Sequence, residues 1–173
     1  MKSARKGYVV NVLFMSDLSA MQGSISESRL HRRLIDTLYV DAMVLADEAR
    51  AYFDEGGRVD RESLDPMARV SFSCESLKVT TRLMHVIAWL LTQRAVDAGE
   101  MTPRDALDPS RRLGPAPISD AGAMLAMPAS ARGLVEASAE LYRRVSRLDD
   151  AQASEMAAPS PARSMFDRLA MAF

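Results

Sequence analysis

The chain has 173 residues, of which 48% are hydrophobic and 26% are charged. This length and composition suffice for one domain with a packed core, and they exclude a globally disordered chain. The net charge of -1 and the pI of about 6.1 give no excess of basic residues, which proteins that bind nucleic acid usually carry. We therefore expect no nucleic-acid partner. We also expect no membrane partner, since no segment reaches the ~20 apolar residues of a membrane helix.

Cysteine and histidine, the usual ligands of zinc, are scarce. Cys74 is the only cysteine, and His31 and His85 are the only histidines. One cysteine excludes an intramolecular disulfide, and three such residues are too few for a zinc site of cysteines and histidines. We expect neither a metal nor another cofactor, and a reducing, cytoplasmic location fits the single thiol.

The first 25 residues form a separate segment. They contain basic residues followed by an apolar run over residues 8–15. This run is short for a signal peptide, and no clear cleavage site follows it. We expect an irregular N-terminal extension over residues 1–25.

The first predicted helix covers residues 26–55. Apolar residues recur at steps of three and four from Leu30 to Tyr52, which is the period of an amphipathic helix. Ser24 and Glu27 fit a capping box at its start, and two successive glycines fit its end.

The second predicted helix covers residues 66–98. Asp65 and Pro66 fit an N-cap and a first-turn proline, and Gly99 fits the residue just beyond the end. Two apolar seams follow this helix. The first seam, with coiled-coil spacing, contains Val70, Cys74, Leu77, Thr81, Met84, Ala88, Leu91 and Ala95. The second seam contains Val79, Leu83, Val86 and Leu90.

A helix with two apolar seams must be covered on several sides. Either two neighbouring helices cover it, or one neighbour and a second copy of the chain. We predict that the stretch from Leu83 to Leu91 lies partly in a homodimer interface, with Leu83, Val86, Trp89 and Leu90 as the contact residues.

The third predicted helix covers residues 128–149. Arg143, Arg144 and Arg147 cluster near its end, where cations complement the helix dipole. They serve that role and solubility, or they form a partner surface.

The sequence between and beyond the helices contains many prolines. The loop over residues 99–127 contains four, and Thr102 with Pro103 could begin one short helical turn. Residues 151–173 are rich in Ala, Ser and Pro, which favours a flexible C-terminal tail. Phe166, Leu169 and Phe173 near its end are further candidates for a partner surface.

These elements predict an all-α fold: an antiparallel three-helix bundle over residues 26–150, with a long interhelical loop and flexible N- and C-terminal segments.

No catalytic motif accompanies this fold. Cys74 and His85 are eleven residues apart, so a helix separates them by roughly 16 Å and prevents their contact. Cys74 lies on the first seam, where we expect a small apolar filler rather than a catalytic thiol. We predict that the chain is not an enzyme. Two classes of function remain, a protein-interaction module and a helical DNA-binding or transcription-associated regulator. The absence of a basic excess favours the first.

Several stretches resemble a known bacterial family. They are residues 34–43 (LIDTLYVDAM), 45–54 (LADEARAYFD), 70–77 (VSFSCESL), 80–91 (TTRLMHVIAWLL), 95–100 (AVDAGE) and 141–149 (LYRRVSRLD). They are similar to the alphaproteobacterial RcdA family, which is named for regulating the degradation of the cell-cycle regulator CtrA. The stretch over residues 70–91 is the most specific.

The resemblance implies a homodimeric three-helix bundle with a disordered tail. It also implies an adaptor that helps deliver client transcription regulators to the ClpXP protease, together with a response-regulator partner. It implies no catalytic residue. The first twenty-odd residues, the proline-rich loop and the tail depart from the family pattern, so the choice of clients is not implied.

Overall fold

The computed structural model describes the secondary structure of residues 6–157 and the side chains of residues 28–155. Within these residues the chain is all-α, as predicted, and has no β-strand. The long helices are α1 (Lys6–Ala51), α3 (Pro66–Asp97) and α6 (Ala129–Ala157). The short helices are α2 (Arg58–Ser63), α4 (Pro103–Ala106) and α5 (Ala121–Leu125).

Helix α1 begins well before the predicted start. Residues 6–25 are helical, where the sequence predicted an irregular extension. No proline precedes Pro66, so nothing in this stretch interrupts the backbone ladder. Ser24 and Glu27, which fit a capping box, lie inside the helix instead of at its start.

Helix α1 ends in a tight aromatic turn. The turn Tyr52–Gly56 is π-helical, and the Gly57 amide donates to the Tyr52 carbonyl at 2.6 Å. A Cβ on Gly57 would lie 2.9 Å from the Tyr52 ring, so the turn requires glycine there. The Tyr52 hydroxyl donates to Asp60 at 2.8 Å, which attaches the turn to α2.

Helix α3 matches its predicted bounds closely. The Asp65 carboxylate accepts from the amides of Met67 and Ala68 at 2.9 and 3.0 Å, as an N-cap does. Gly99, just after the helix, has a φ of 74°, the left-handed conformation that favours glycine.

The three long helices do not all alternate in direction. Helices α1 and α3 run antiparallel, because Asp36 pairs with Arg94 while Phe53 packs on Phe72. Helices α3 and α6 run parallel, since contacts advance together along both: Arg82 with Ser138, Trp89 with Asp149 and Gln93 with Gln152. The predicted antiparallel order is therefore wrong for α6 relative to α3. Helix α6 runs parallel to α3 because the connection over residues 98–128 runs back along the length of α3 before α6 begins.

Helix α6 is also longer than predicted. It continues to Ala157, so residues 151–157 are helical where a flexible tail was expected. The rest of the predicted tail, residues 158–173, lies outside the described residues.

The main core lies between the three long helices, with α3 at its centre. It is formed by apolar side chains of all three, including Ile35, Leu38, Val79, Val86, Trp89, Leu90, Val135 and Val145. A smaller core of Phe72, Met127 and Ala131 lies under the aromatic turn.

Candidate docking surface

The residues predicted to form the dimer interface lie inside the protein. Leu83, Val86, Trp89 and Leu90 are at most 3% exposed, and all four belong to the main core. A second copy cannot contact them while the helices remain packed. These four residues are therefore not available as an interface, and a candidate interface must lie elsewhere on the surface.

The other apolar seam of α3 faces outward. Its large side chains are between 47% and 69% exposed, and they are Val70, Leu77, Met84 and Leu91. Cys74 on the same seam is exposed too, so it does not have the packed, filling role that we expected. The sequence pattern placed these residues on one face correctly, but the face that packs against α1 and α6 is the second seam.

Exposed apolar residues of α1 continue this surface. Asp36 and Arg94 pair at 3.2 Å across the two helices. Val40 and Met43 follow Asp36 by four and seven residues, and Leu91 precedes Arg94 by three. Residues at these spacings share a helix face. Because Val40 and Met43 are 58% and 38% exposed, they extend the apolar surface beside α3. We call this set the apolar face: Val40, Met43, Val70, Leu77, Met84 and Leu91.

The segment over residues 98–128 lies along α3 and α6 and connects them. We call it the crossover segment. It contacts α6 at successive points along its length. Arg112 pairs with Asp149 on α6 at 2.7 Å, and Tyr142 of α6 donates to the carbonyl of Gly114 at 2.7 Å. The long, proline-rich loop of the sequence is thus an ordered part of the fold.

A buried polar cluster holds the crossover segment at Pro117 and Ser119. Arg82, which is 2% exposed, donates to the carbonyl of Pro117 at 3.0 and 3.2 Å and to the hydroxyl of Ser138 at 3.0 Å. Ser119 lies between Arg82 and Glu75 and bonds to both. Burial lowers the pKa of Arg82, and the Glu75 carboxylate opposes that shift.

A buried charge without partners would destabilise the fold strongly, so this cluster is sensitive to the position of each member. Lys78 adds a second cation to Glu75 at 2.7 Å. The cluster fixes the crossover segment on α3, on the side where α6 also packs.

The predictions from the sequence did not include this cluster. A signal was present, because Glu75 and Arg82 are seven residues apart and so share one face of α3, together with buried Phe72 and Val79. Opposite charges on a face that is otherwise apolar indicate a buried pair.

His85 contacts the crossover segment rather than a catalytic partner. A Cβ on Gly114 would lie 2.9 Å from its ring, so the backbone of the segment passes directly over the imidazole.

The arginines of the candidate partner surface lie on the outer side of α6. Arg143 pairs with Glu140 at 2.6 Å with both side chains exposed, and Arg144 and Arg147 are exposed. They are well inside the longer α6 rather than at its end. Phe166, Leu169 and Phe173 lie outside the described residues.

Other kinds of site find little support in the described part of the chain. Among its side chains, no three residues of the types that bind metals lie close enough to hold an ion. The described helices include none with the length and hydropathy needed to cross a membrane.

Comparisons with known proteins agree with this all-helical class. The family model described as "Protein of unknown function (DUF1465)" matches residues 26–173. The crystal structure of RcdA from Caulobacter crescentus CB15 is similar, with 35% identity and a TM-score of 0.57 over 69% of this chain and 90% of that one. The curated proteins gave no match.

These findings make the chain a member of an all-helical protein family. It belongs to the RcdA family, as the resemblance of its sequence predicted.

Proposed function

We propose that the chain is a non-catalytic adaptor. It would help to deliver cell-cycle regulatory proteins, of the CtrA type, to the ClpXP protease through protein–protein contacts. Membership of the RcdA family is the observation that carries this proposal. Such work would take place in the cytoplasm, together with a response-regulator partner.

The apolar face supports a binding role. A contiguous apolar surface rimmed by polar residues marks an interaction site more often than a scattered apolar residue does. Polar and charged residues such as Asp36 and Arg94 lie beside this one. An adaptor needs a surface of this kind and no catalytic group.

We propose that a second copy of the chain covers the apolar face. Val70, Leu77, Met84 and Leu91 follow one another at seven-residue steps, the spacing with which helices pair along a shared seam. Two copies can bury this seam against each other about a twofold axis, because the same residues then meet on both sides. In that arrangement the three-helix bundle would be the unit of a homodimer.

The arginine cluster remains free for other partners in such a dimer. It lies on α6, whereas the apolar face lies on α1 and α3. Arg143, Arg144 and Arg147 would attract acidic surfaces of a response regulator or a client. Phe166, Leu169 and Phe173 of the tail would add apolar contacts.

A reconstituted degradation assay tests the adaptor role. Purified ClpXP, a CtrA-type regulator and the response-regulator partner are combined with and without the chain, and the loss of the regulator is followed in time. We expect faster degradation when the chain is present. An unchanged rate over a full concentration series would contradict the proposal.

A matched pair of variants connects the assay to the surface. Leu77→Glu with Met84→Glu places charges on the apolar face, whereas Val59→Glu places one on α2, where Val59 is 77% exposed. We expect only the first variant to lose the acceleration. The DNA-binding alternative receives no support from the comparisons, and we do not propose it.

A further inference from the structure

A cavity of about 630 Å³ lies at the end of the protein opposite the aromatic turn. It is bordered by α1, the end of α3, the short helix α4 and the end of α6. None of the features described above uses it.

Two buried polar atoms belong to residues that line this cavity and have no hydrogen-bond partner among the described residues. They are Nε2 of Gln93 and Oδ2 of Asp97. Gln93 is only 2% exposed, and its Oε1 accepts from Gln152 at 2.6 Å, which leaves the amide hydrogens for another acceptor. Buried polar groups are nearly always paired, so two exceptions beside one cavity point to a ligand.

The two atoms differ in what they require. The amide of Gln93 donates, and the carboxylate of Asp97 accepts. They lie four residues apart on α3 and therefore side by side on one face. A ligand that satisfies both needs an acceptor and a donor a few ångströms apart, and a small shift of either side chain within the cavity brings its atom to the ligand.

The charge of the cavity favours a cationic donor. Asp97 and Glu155 both line it, and His31 is the one lining residue that can carry a positive charge. Helices α3 and α6 both end here, at Asp97 and Ala157, and a helix C-terminus carries partial negative charge. Arg32 lies nearby, but it donates to the backbone carbonyl of Asp97 at 3.4 Å.

Apolar residues also line the cavity, with Val96, Ala106 and Leu107 among them. They suit a small apolar side chain next to the charged group. An ammonium, a neighbouring carbonyl and an apolar side chain occur together at the first residue of a peptide.

We propose that this cavity binds the free amino terminus of a peptide whose first residue is apolar. The ammonium donates to Asp97, the first carbonyl accepts from Gln93, and the apolar side chain packs on Leu107. This binding is measured on the isolated protein and does not depend on the adaptor role, so either proposal can fail alone.

The test uses the peptide Leu-Ser-Ala-amide and its N-acetylated form, with binding to the full chain followed by calorimetry and by the side-chain amide signal of Gln93 in NMR spectra. We expect saturable binding of the free peptide, a shift of the Gln93 signal, and a loss of affinity of at least about tenfold on acetylation. Equal binding of the two forms, or no binding at millimolar peptide because only water fills the cavity, would overturn the proposal.

Variants locate the binding. Asp97→Asn and Gln93→Met should each weaken it by about tenfold or more. Asp36→Asn makes the same chemical change outside the cavity and should have no effect, and equal losses for Asp97→Asn and Asp36→Asn would contradict the site. Circular dichroism checks the fold of each variant, and if one fails to fold, the comparison of the two peptides on the wild type still decides. Propylamine binding as tightly as the peptide would overturn the assignment to a peptide terminus.

Discussion

The indole nitrogen of Trp89 donates to Oδ1 of Asp149 at 2.8 Å, in a site where Asp149 is only 5% exposed. The same carboxylate receives two further hydrogen bonds, from Nε and Nη2 of Arg112 at 2.7 and 2.8 Å. One side chain of α6 therefore joins the central helix and the crossover segment.

Removal of this carboxylate should destabilise the fold strongly. Asp149→Ala leaves the Trp89 indole and the Arg112 guanidinium without their acceptor, and we expect a loss of about 2 to 4 kcal/mol in the free energy of unfolding. Urea denaturation followed by Trp89 fluorescence measures it. Asp150→Ala, at an exposed neighbour, should cost less than about 0.5 kcal/mol. Equal losses for the two variants would show that the buried carboxylate has no special role.

The close approach of Gly114 to His85 predicts that substitutions at these two positions have coupled effects on the free energy of unfolding. Gly114→Ala places a Cβ against the imidazole, and we expect a loss of roughly 1 to 3 kcal/mol from overpacking. In a His85→Ala background the ring is gone, so most of that loss should disappear. A thermodynamic cycle of the four proteins measures the coupling.

Gly133 provides the control for that experiment. It lies in α6, and a Cβ there would meet nothing within 4 Å. Gly133→Ala should therefore stabilise the protein by roughly 0.5 to 1 kcal/mol, since alanine is the better helix former. If Gly114→Ala behaves in the same way, the crossover segment does not pass over His85 as described.

Tyr52 predicts a dependence of stability on pH. Burial, the hydrogen bond to Asp60 and the charge of Asp60 raise the pKa of Tyr52 from 10.0 to about 12. The pKa of Tyr52 is higher in the folded chain than in the unfolded chain. The contribution of Tyr52 to the free energy of unfolding is therefore fully present below pH 10, and it is lost as the pH rises from 10 to about 12.

The variant Tyr52→Phe removes this ionisation. Its free energy of unfolding should decline less steeply than that of the wild type between pH 10 and 12, as measured by urea denaturation at each pH. Parallel curves for the wild type and Tyr52→Phe would argue against the Asp60 contact.

The sequence predicted the elements better than their arrangement. Asp65 and Pro66 marked the start of α3, and Thr102 with Pro103 marked the short helix α4, because caps are local signals. The two seams of α3 were also visible. Periodicity cannot say which of two apolar faces meets a neighbour, however, so Trp89 and Leu90 were assigned to a dimer although they lie in the core.

The direction of α6 and the buried cluster could not be read from local patterns either. A connection of thirty or so residues permits either direction, and only the contacts of Arg112, Gly114 and Ser119 along α3 and α6 determine that it runs back. The cavity beside Gln93 and Asp97 brings residues of α1 and α6 together with the end of α3 and the short helix α4 that follows it. Such a site exists only once the helices are packed.

The proposed dimer through the apolar face is tested most directly by sedimentation equilibrium over a wide range of concentrations. We expect the wild-type chain to form a dimer, Leu77→Glu with Met84→Glu to be a folded monomer, and the control Val59→Glu to remain a dimer. A wild-type chain that stays monomeric at every concentration, or a dimer that survives the two charges on the apolar face, would contradict this account.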